Sequence, residues 1–289
     1  MQSLSIFLVA VVVSACAHAV PSHLIRGKTG ETVTLADSLA EVKPGSIVVI
    51  GENHGFKAHQ EQQVEIMQTL RNQGLKVSVG MEFFTYTQQN LVEQYHQGSL
   101  AETDFLSAIQ WGSIPFDLYR DQTLFPSVEE GSKTIALNAP RSLTGKISKT
   151  GLTSLSPQEL ALMPPQFSVG RDSYKERFLA MMPHLPNPEA GERYFAAQST
   201  WDDTMAWQAT NFISSHPDQV LVIVVGEFHV QYGGGLPDRL AVRAPTGTPI
   251  LTFSQFNTLD LTQEEVDQEV LPSPKYGPRA DYIWLAPAQ

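Results

Sequence analysis

Two stretches of this chain place an acidic and an imidazole side chain directly after an apolar run. Ile47–Ile50 leads into Gly-Glu-Asn-His (51–54), and Leu221–Val225 leads into Gly-Glu-Phe-His (226–229). An uninterrupted β-branched run is typical of a strand buried on both faces of a parallel sheet. The glycine lets the backbone turn sharply where the strand ends. Residues just beyond such strands lie at the ligand-binding edge of open α/β sheets. The two motifs, with acid and imidazole in the same register, therefore predict one shared polar site.

Two further predicted core strands also end in charged residues. Lys76–Val79 precedes Glu82, and Thr134–Leu137 precedes Arg141. Two imidazoles with a carboxylate are a donor set that suits Zn, Mn or Fe with open coordination positions. A water molecule on such a metal can hydrolyse an ester or amide, with a glutamate as base. The predicted metal ligands are His54, Glu82 and His229. The residues predicted to act if the protein is an enzyme are Glu52, His54, Glu82, Arg141, Glu227 and His229.

Exposed tyrosines offer a different chemistry at the same edge. Tyr86 follows the second strand exit and Tyr232 follows the fourth. A tyrosine oxygen can ligate haem iron, so these residues favour a haem site as an alternative to hydrolysis. The sequence contains no H-E-x-x-H, G-x-S-x-G or Walker motif, which removes support for thermolysin-type, serine-hydrolase and P-loop chemistry.

The composition limits the class of protein. The chain has 289 residues, 42% hydrophobic residues and a formal net charge of −11. This length supports one large α/β domain or two small ones. Nucleic-acid-binding proteins usually carry a basic patch, whereas this chain is acidic overall. We therefore do not expect a nucleic-acid partner.

The N-terminus predicts export. Residues 5–15 are almost wholly apolar and too few to span a bilayer, as in a signal-peptide core. They end in Val-Ser-Ala-Cys (13–16), which resembles a bacterial lipobox, and Cys16 is the only cysteine. We therefore predict a lipoprotein signal peptide over residues 1–16 and lipidation of Cys16. The alternative is ordinary cleavage after Ala17 or Ala19. Because residue 17 is not the aspartate that often retains lipoproteins in the inner membrane, we expect an outer-membrane protein facing the periplasm or the cell surface.

The hydrophobic patterns predict an α/β fold, with a mostly parallel central sheet flanked by helices. Residues 17–142 and 186–289 form the predicted core domain, and 143–185 form a small helical cap subdomain. The strongest predicted elements are helices over 59–72, 87–97, 101–111 and 189–214 and strands over 220–225 and 249–256. We also expect an edge strand or hairpin around 24–35, a polar tail over 258–280 and a last edge strand over 281–285.

Five motifs, taken in order, resemble the ChaN-type haem-binding lipoprotein family. They are Gly-Glu-Asn-His, Gly-Met-Glu-Phe, Leu-Asn-Ala-Pro-Arg, the run Ala-Ala-Gln-Ser-Thr-Trp-Asp-Asp-Thr-Met-Ala (196–206), and Gly-Glu-Phe-His-Val followed by a glycine-rich loop and Leu-Pro-Asp-Arg-Leu (236–240). The resemblance covers residues 30–255. It implies a lipid-anchored protein of iron or haem uptake in Gram-negative bacteria, working with outer-membrane uptake machinery. It also implies a homodimer that encloses haem, with tyrosine ligation.

The family is also similar to the erythromycin-esterase and Tiki groups, which share a polar set that corresponds here to His54, Glu82, Arg141 and His229. The resemblance implies haem contacts from His54 or His229 and from one of four tyrosines, namely Tyr86, Tyr119, Tyr174 and Tyr232. Two alternatives stay open: a metal-dependent hydrolase that uses the strand-end residues, and a lipoprotein scaffold with a vestigial site. The retention of both Gly-Glu-x-His motifs favours a working site over a scaffold.

Overall fold

A single eight-stranded sheet organises the computed structural model, which describes residues 22–286. The strands are β1 His23–Arg26, β2 Thr32–Val33, β3 Ile47–Glu52, β4 Lys76–Thr85, β5 Thr134–Asn138, β6 Gln219–Gly226, β7 Ile250–Asn257 and β8 Tyr282–Ala286. Their order is β2-β1-β8-β7-β3-β6-β4-β5. The six strands from β8 to β5 are parallel, whereas β1 runs antiparallel to both β8 and β2. The predicted α/β fold with a mostly parallel sheet is therefore confirmed.

Helices cover both faces of this sheet. Those in the described residues are α1 Leu35–Ser38, α2 Lys57–Asn72, α3 Gln89–His96, α4 Glu102–Ala108, α5 Asp117–Leu124, α6 Arg141–Thr150, α7 Pro157–Leu160, α8 Asp172–Ala180, α9 Pro188–Ser215, α10 Leu236–Arg243 and α11 Gln263–Val270. Short 3₁₀ turns occupy Tyr86–Gln88, Leu152–Ser154, Glu227–His229 and Gln231–Gly233. Within residues 22–286, none of the helices combines the length and the apolar character that crossing a membrane requires.

Strand β3 lies between β6 and β7, and β6 lies between β3 and β4. Side chains on successive strand residues point to opposite faces of the sheet. Each apolar strand therefore contributes side chains to two hydrophobic cores. Val48 and Ile50 pack into a core with residues of α2 and the α3–α5 region. Ile47 and Val49 pack on the other face against α9 and α10. Because the central strands are buried on both faces, the residues at their ends are the ones placed to meet a ligand.

The long helix α9 supports the second face. Asn187 accepts a hydrogen bond from the Ala190 backbone N–H, and Pro188 occupies the first turn, as expected at a helix start. Segments from α6 to α8 pack on the N-terminal half of α9, where Ala196 and Ala197 contact α6 and Phe195 contacts α8. The separate cap subdomain over 143–185 stays a prediction.

Three features differ from the expectations. The strand predicted at an edge over 281–285 lies inside the sheet, between β1 and β7, because the β1–β2 hairpin covers it. The polar tail contains α11, which begins with a reciprocal capping box between Thr262 and Glu265. Strand β4 continues to Thr85 through an irregularity in its pairing with β5 beyond Met81. Glu82 therefore lies within the strand rather than after it.

The register of β3 and β6 also corrects an expectation. Gly51 pairs with Val225, and Glu52 pairs with Gly226, so the two Gly-Glu-x-His motifs are offset by one residue. A shift of one residue moves a side chain to the opposite face of a sheet. The two glutamates therefore cannot occupy equivalent places, although their motifs look alike.

Candidate functional site

The innermost polar group at the strand ends is the carboxylate of Glu52, whose side chain has no exposed surface. Its Oε1 accepts hydrogen bonds from the Tyr119 hydroxyl at 2.6 Å and from Nδ1 of His54 at 2.8 Å. Its Oε2 accepts from the amides of Gln60 and Gln63, each at 2.6 Å. Four donors on one buried carboxylate offset the loss of its hydration and fix its position.

His54 lies on top of this carboxylate and is the exposed member of the site. Its side chain is 40% exposed. Because Nδ1 faces Glu52, Nε2 points away from that carboxylate, and it makes no hydrogen bond to a residue of the described chain. Burial lowers the pKa of His54, but the hydrogen bond with Glu52 and the charges of Glu82 and Glu52 outweigh this effect, so the pKa is raised.

The glycine of the second motif provides the space for this arrangement. A Cβ on Gly226 would lie 3.2 Å from Nε2 of His54 and 3.5 Å from Oε2 of Glu82. Both polar atoms therefore lie over the same point of β6. Gly226 has φ −58°, and Gly51 is not among the positive-φ glycines. The glycines therefore serve close packing and not the sharp turn expected from the sequence.

Glu82 links the two imidazoles. Its Oε2 accepts the Gly226 backbone N–H at 2.6 Å, and its Oε1 lies 3.5 Å from Nε2 of His229. Burial alone would raise the pKa of Glu82. The positive charge of His229 and its hydrogen bond prevail, and the pKa falls to about 2.

His229 is held between two carboxylates. Its Nδ1 lies 2.6 Å from Oδ1 of Asp202, and Nε2 faces Glu82. Burial lowers the pKa of His229, but the charges of Asp202 and Glu82 raise it to about 10. The Tyr174 hydroxyl donates to the other oxygen of Asp202 at 3.0 Å. Burial raises the pKa of Asp202 from its ordinary value.

The structure therefore brings His54, Glu82 and His229 together, with Glu52 beneath them. Asp202 joins them from the middle of α9, and sequence reasoning missed this role. The available signal was its place in the run 196–206, one of the five motifs shared with the family.

Glu227 does not join this cluster. Its oxygens accept from Nε of Arg279 at 2.6 Å and from Nη2 at 2.9 Å, and the Ser254 hydroxyl adds a further bond at 2.6 Å. Glu227 and Arg279 are both buried. The pair fastens the segment before β8 to the end of β6, and Glu227 acts in packing rather than at the site.

Arg141 lies beside the cluster and not within it. It is the first residue of α6, is exposed, and makes no ion pair with a residue in the described range. It lines a cleft of ≈ 250 Å³ together with Phe83 and Trp111. The Phe83 ring lies 5.0 Å from the His54 ring, so the cleft adjoins the cluster through one aromatic side chain.

The donor set does not fit a divalent metal ion. Metal binding requires a neutral imidazole with one free nitrogen. Both nitrogens of His229 lie near carboxylates, whose charges raise its pKa and favour the protonated ring. Across residues 22–286, no three or more His, Cys, Asp or Glu side chains are grouped to hold a metal. The predicted ligands His54, Glu82 and His229 form a hydrogen-bonded ion cluster instead.

In three of the four candidate haem tyrosines, the hydroxyl already donates a hydrogen bond to another residue of the protein. Tyr119 donates to Glu52, Tyr174 donates to Asp202, and Tyr86 donates to the Leu162 carbonyl at 3.1 Å. Burial raises the pKa of all three, which disfavours the tyrosinate that binds iron. Tyr119 and Tyr174 are also fully buried.

Tyr232 differs from these three tyrosines. It is partly exposed, and its hydroxyl makes no hydrogen bond within the described chain. Its backbone adopts φ 58°, ψ 26°, a left-handed conformation that is uncommon for a residue other than glycine. Two backbone hydrogen bonds hold it there: its N–H donates to the Arg279 carbonyl at 2.7 Å, and its carbonyl accepts from Arg171 at 2.6 Å.

These observations define an α/β protein with a parallel sheet and a buried ionic cluster at its carboxyl edge. The sequence matches the profile of the family described as haem-binding uptake, Tiki superfamily, ChaN, over residues 38–240. The chain belongs to this family, so the predicted resemblance is confirmed and haem is the ligand that the family assigns to it. Among curated proteins, none matches the sequence significantly.

One solved structure shares the fold at low sequence identity, and two others are more distantly similar. ChaN of Campylobacter jejuni, described with cofacial haem binding, has a TM-score of 0.62 and 16% identity, covering 91% of this chain and 96% of that chain. The type III effector HopBA1 has a TM-score of 0.49 and 12% identity, covering 96% and 100%. A mutant of the erythromycin esterase EreC has a TM-score of 0.42 and 12% identity, covering 81% and 77%. The ChaN structure supports the fold assigned to this chain.

Proposed function

We propose that this protein is a lipid-anchored haem-binding protein of iron acquisition. The observation that carries the proposal is the match to the haem-binding uptake family over residues 38–240. The lipobox that ends in Cys16 supports the anchor, and it lies outside the described residues. A metal-dependent hydrolase is not favoured, because residues 22–286 contain no group of three or more His, Cys, Asp or Glu side chains arranged to hold a metal.

Tyr232 is the residue that we propose as the iron ligand. Its hydroxyl is uncommitted, whereas those of Tyr86, Tyr119 and Tyr174 donate to protein acceptors. Holding a tyrosine in the left-handed region costs about 1–3 kcal/mol, and such strain concentrates at functional sites. The strain is explained if the loop exists to present this side chain.

The surroundings of Tyr232 suit a porphyrin that carries propionates. The Tyr276 ring lies 5.6 Å from the Tyr232 ring and offers a second aromatic surface. The guanidinium of Arg177 lies 4.5 Å from the Tyr232 ring centroid, and Arg171 contacts its carbonyl. Arginines bind carboxylates well, and the exposed Arg171 is placed to receive a propionate group. Arg177 already donates to Gln231 and packs against the Tyr232 ring.

A haem on one tyrosine leaves the other haem face uncovered. We infer that two copies of the protein pair over this surface, as the predicted homodimer requires. This inference draws support from the family relative that is described with cofacial haem. Sedimentation velocity of the protein with and without haem tests it, since haem should shift the monomer to a dimer. If the haem-loaded protein sediments as a monomer, the dimer is rejected, whereas the assignment of Tyr232 as the iron ligand is unaffected.

A haem titration followed by visible absorption tests the ligand. The wild-type protein should bind saturably and give a Soret band of high-spin ferric tyrosinate haem. Tyr232→Phe should abolish that signature, because the ring stays and the ligating oxygen is lost. Tyr86→Phe is the matched control, and it should bind as the wild type does. Unchanged spectra for Tyr232→Phe would reject this ligand, and no saturable binding at micromolar haem would reject the function itself.

A further inference from the structure

A cavity of ≈ 320 Å³ lies at the amino edge of the sheet, opposite the carboxyl edge that carries the ionic cluster. Ser46 precedes β3, Ile250 begins β7 and Tyr282 begins β8, and all three residues line the cavity. Strand β1 runs antiparallel to β8, so its last residue, Arg26, reaches the same edge. The cavity is therefore separate from the ionic cluster and from Tyr232, which follow the carboxyl ends of the strands.

The wall of this cavity is largely apolar. Val42, Pro249, Ile250 and Leu251 line it and are each partly exposed, and the buried ring of Tyr282 adds an aromatic side. Apolar side chains that line a concave space together are typical of a ligand-binding cleft. Ligand pockets usually measure about 300–1,000 Å³, so this cavity suits a small molecule with an apolar body.

Arg26 brings a fixed positive charge to the cavity. Its Nη1 donates to the Tyr282 hydroxyl at 3.2 Å, and its guanidinium carbon lies 5.3 Å from the centre of the Tyr282 ring. No carboxylate within residues 22–286 forms an ion pair with Arg26. A guanidinium has five N–H donors in a planar fork, so the contact with one hydroxyl leaves donors available. Arg26 is thus oriented by a neutral partner and can bind the carboxylate of a ligand.

Two carboxylates line the same cavity. Asp37 belongs to α1 and accepts a hydrogen bond from the Thr34 hydroxyl at 2.6 Å. Glu41 lies in the turn after α1, is exposed, and makes no hydrogen bond or ion pair with a residue of the described chain. Neither carboxylate pairs with Arg26, although all three side chains line one space. Opposite charges that remain unpaired around an apolar cavity favour a ligand that carries both signs.

We propose that this cavity binds a small zwitterion with an apolar side chain, namely a free apolar amino acid or dipeptide. The ligand carboxylate binds Arg26, and the ligand ammonium binds Glu41. The apolar side chain packs against Leu251 and the aliphatic residues beside it. The site lies at the edge opposite Tyr232, so binding does not depend on haem.

Isothermal titration calorimetry of the full-length protein tests the proposal. The probes are L-leucine and L-leucyl-L-leucine, which carry the two charges at different separations, and at least one should bind saturably at millimolar concentration. Their N-acetylated forms lack the ammonium, and their C-terminal amides lack the carboxylate. Each blocked form should bind at least about tenfold more weakly, because it loses a charge-assisted hydrogen bond.

Two variants assign the charges of the ligand to residues of the protein. Arg26→Gln should weaken binding of the unblocked probe about tenfold or more and leave the weak binding of its amide unchanged, because the amide has no carboxylate. Glu41→Gln should weaken the unblocked probe and leave its N-acetylated form unchanged. Lys28→Gln is the control, because Lys28 is an exposed cation two residues after Arg26 that does not line the cavity.

The outcomes are independent of the haem proposal. Circular dichroism should show that the variants are folded like the wild type. Absence of saturable binding of both zwitterions overturns the site, and so does equal affinity in Arg26→Gln and the wild type. Blocked forms that bind as tightly as the free probes overturn the recognition of a zwitterion. Binding of leucine or the dipeptide by a protein that does not bind haem supports this site and rejects the haem function alone.

Discussion

Nδ1 of His229 lies 2.6 Å from Oδ1 of Asp202, deep between α9 and the end of β6. The side chains are 8% and 1% exposed. His54, Glu82 and His229 were expected to bind a metal. The nearest partner of His229 is instead the helix carboxylate of Asp202, which favours the protonated imidazole. The pair ties α9 to the loop that follows β6 and so supports both Glu82 and the chain leading to Tyr232.

The first prediction concerns the pH dependence of stability. The folded-state pKa of His229 is about 10, above its ordinary value of 6.5. The protonated His229 therefore contributes its full stabilisation below about pH 6.5, and this contribution is lost as the pH rises through about 10. The raised pKa of His54 acts in the same direction. Urea denaturation across pH 6.5 to 10 should show a falling free energy of unfolding.

A variant isolates the contribution of His229 to this trend. His229→Gln keeps a hydrogen-bonding side chain but cannot carry the charge, so the decline with pH should become much shallower. His96→Gln is the control, because His96 bonds to the Pro126 carbonyl away from the cluster. A decline of equal size in His229→Gln and the wild type would show that His229 is not protonated in the folded state.

A second prediction follows from the space above Gly226. Its φ of −58° and ψ of 139° suit alanine, so Gly226→Ala should fold. The new Cβ would approach His54 Cε1 to 3.1 Å and Nε2 to 3.2 Å, which pushes the imidazole outward. The pKa of His54, followed by NMR titration, should fall because the ring moves away from Glu52 and Glu82, while haem binding is unchanged. Gly145→Ala, where a Cβ meets nothing within 4 Å, is the matched control and should affect neither measurement.

A third prediction separates packing from chemistry. Glu227→Gln removes the buried counter-charge of Arg279 and leaves only the half-exposed Glu269 to pair with it. Breaking a buried ion pair costs about 3–5 kcal/mol. The free energy of unfolding should fall accordingly, as measured in urea. Asp218→Asn removes an exposed pair with Lys76 and should change stability little. If Glu227→Gln is as stable as the wild type, the pair does not anchor the segment before β8.

The convergence of strand ends was predictable because it follows from sheet geometry. Apolar runs such as Ile47–Ile50 indicate central parallel strands. Parallel strands place their carboxyl ends at one edge of the sheet. The motifs alone were therefore enough to predict that His54, Glu82 and His229 lie close together. The family resemblance rested on the same motifs and is confirmed by the match over residues 38–240.

The roles of the individual acids were not predictable. Glu52 and Glu227 occupy the same place in their motifs, but the one-residue offset between β3 and β6 directs them to different partners. The partner of Glu227 is Arg279, 52 residues away, in a stretch that reads as a polar tail. Asp202 lies within a helix, where charge normally indicates a solvated face. Register and long-range ion pairs of this kind leave no local pattern in a sequence.

The last prediction concerns the anchor. Cys16 ends an apolar stretch and is the only cysteine of the chain, so lipidation should fix the mature N-terminus on a membrane. Cells that express the wild-type protein should incorporate labelled fatty acid into it, and the protein should fractionate with the outer membrane. Cys16→Ser should take up no label and should move to the soluble fraction. Ser14→Ala keeps a small residue before the cysteine and is the control, with labelling expected to persist. Absence of label in the wild type would reject lipidation and favour ordinary cleavage after Ala17 or Ala19.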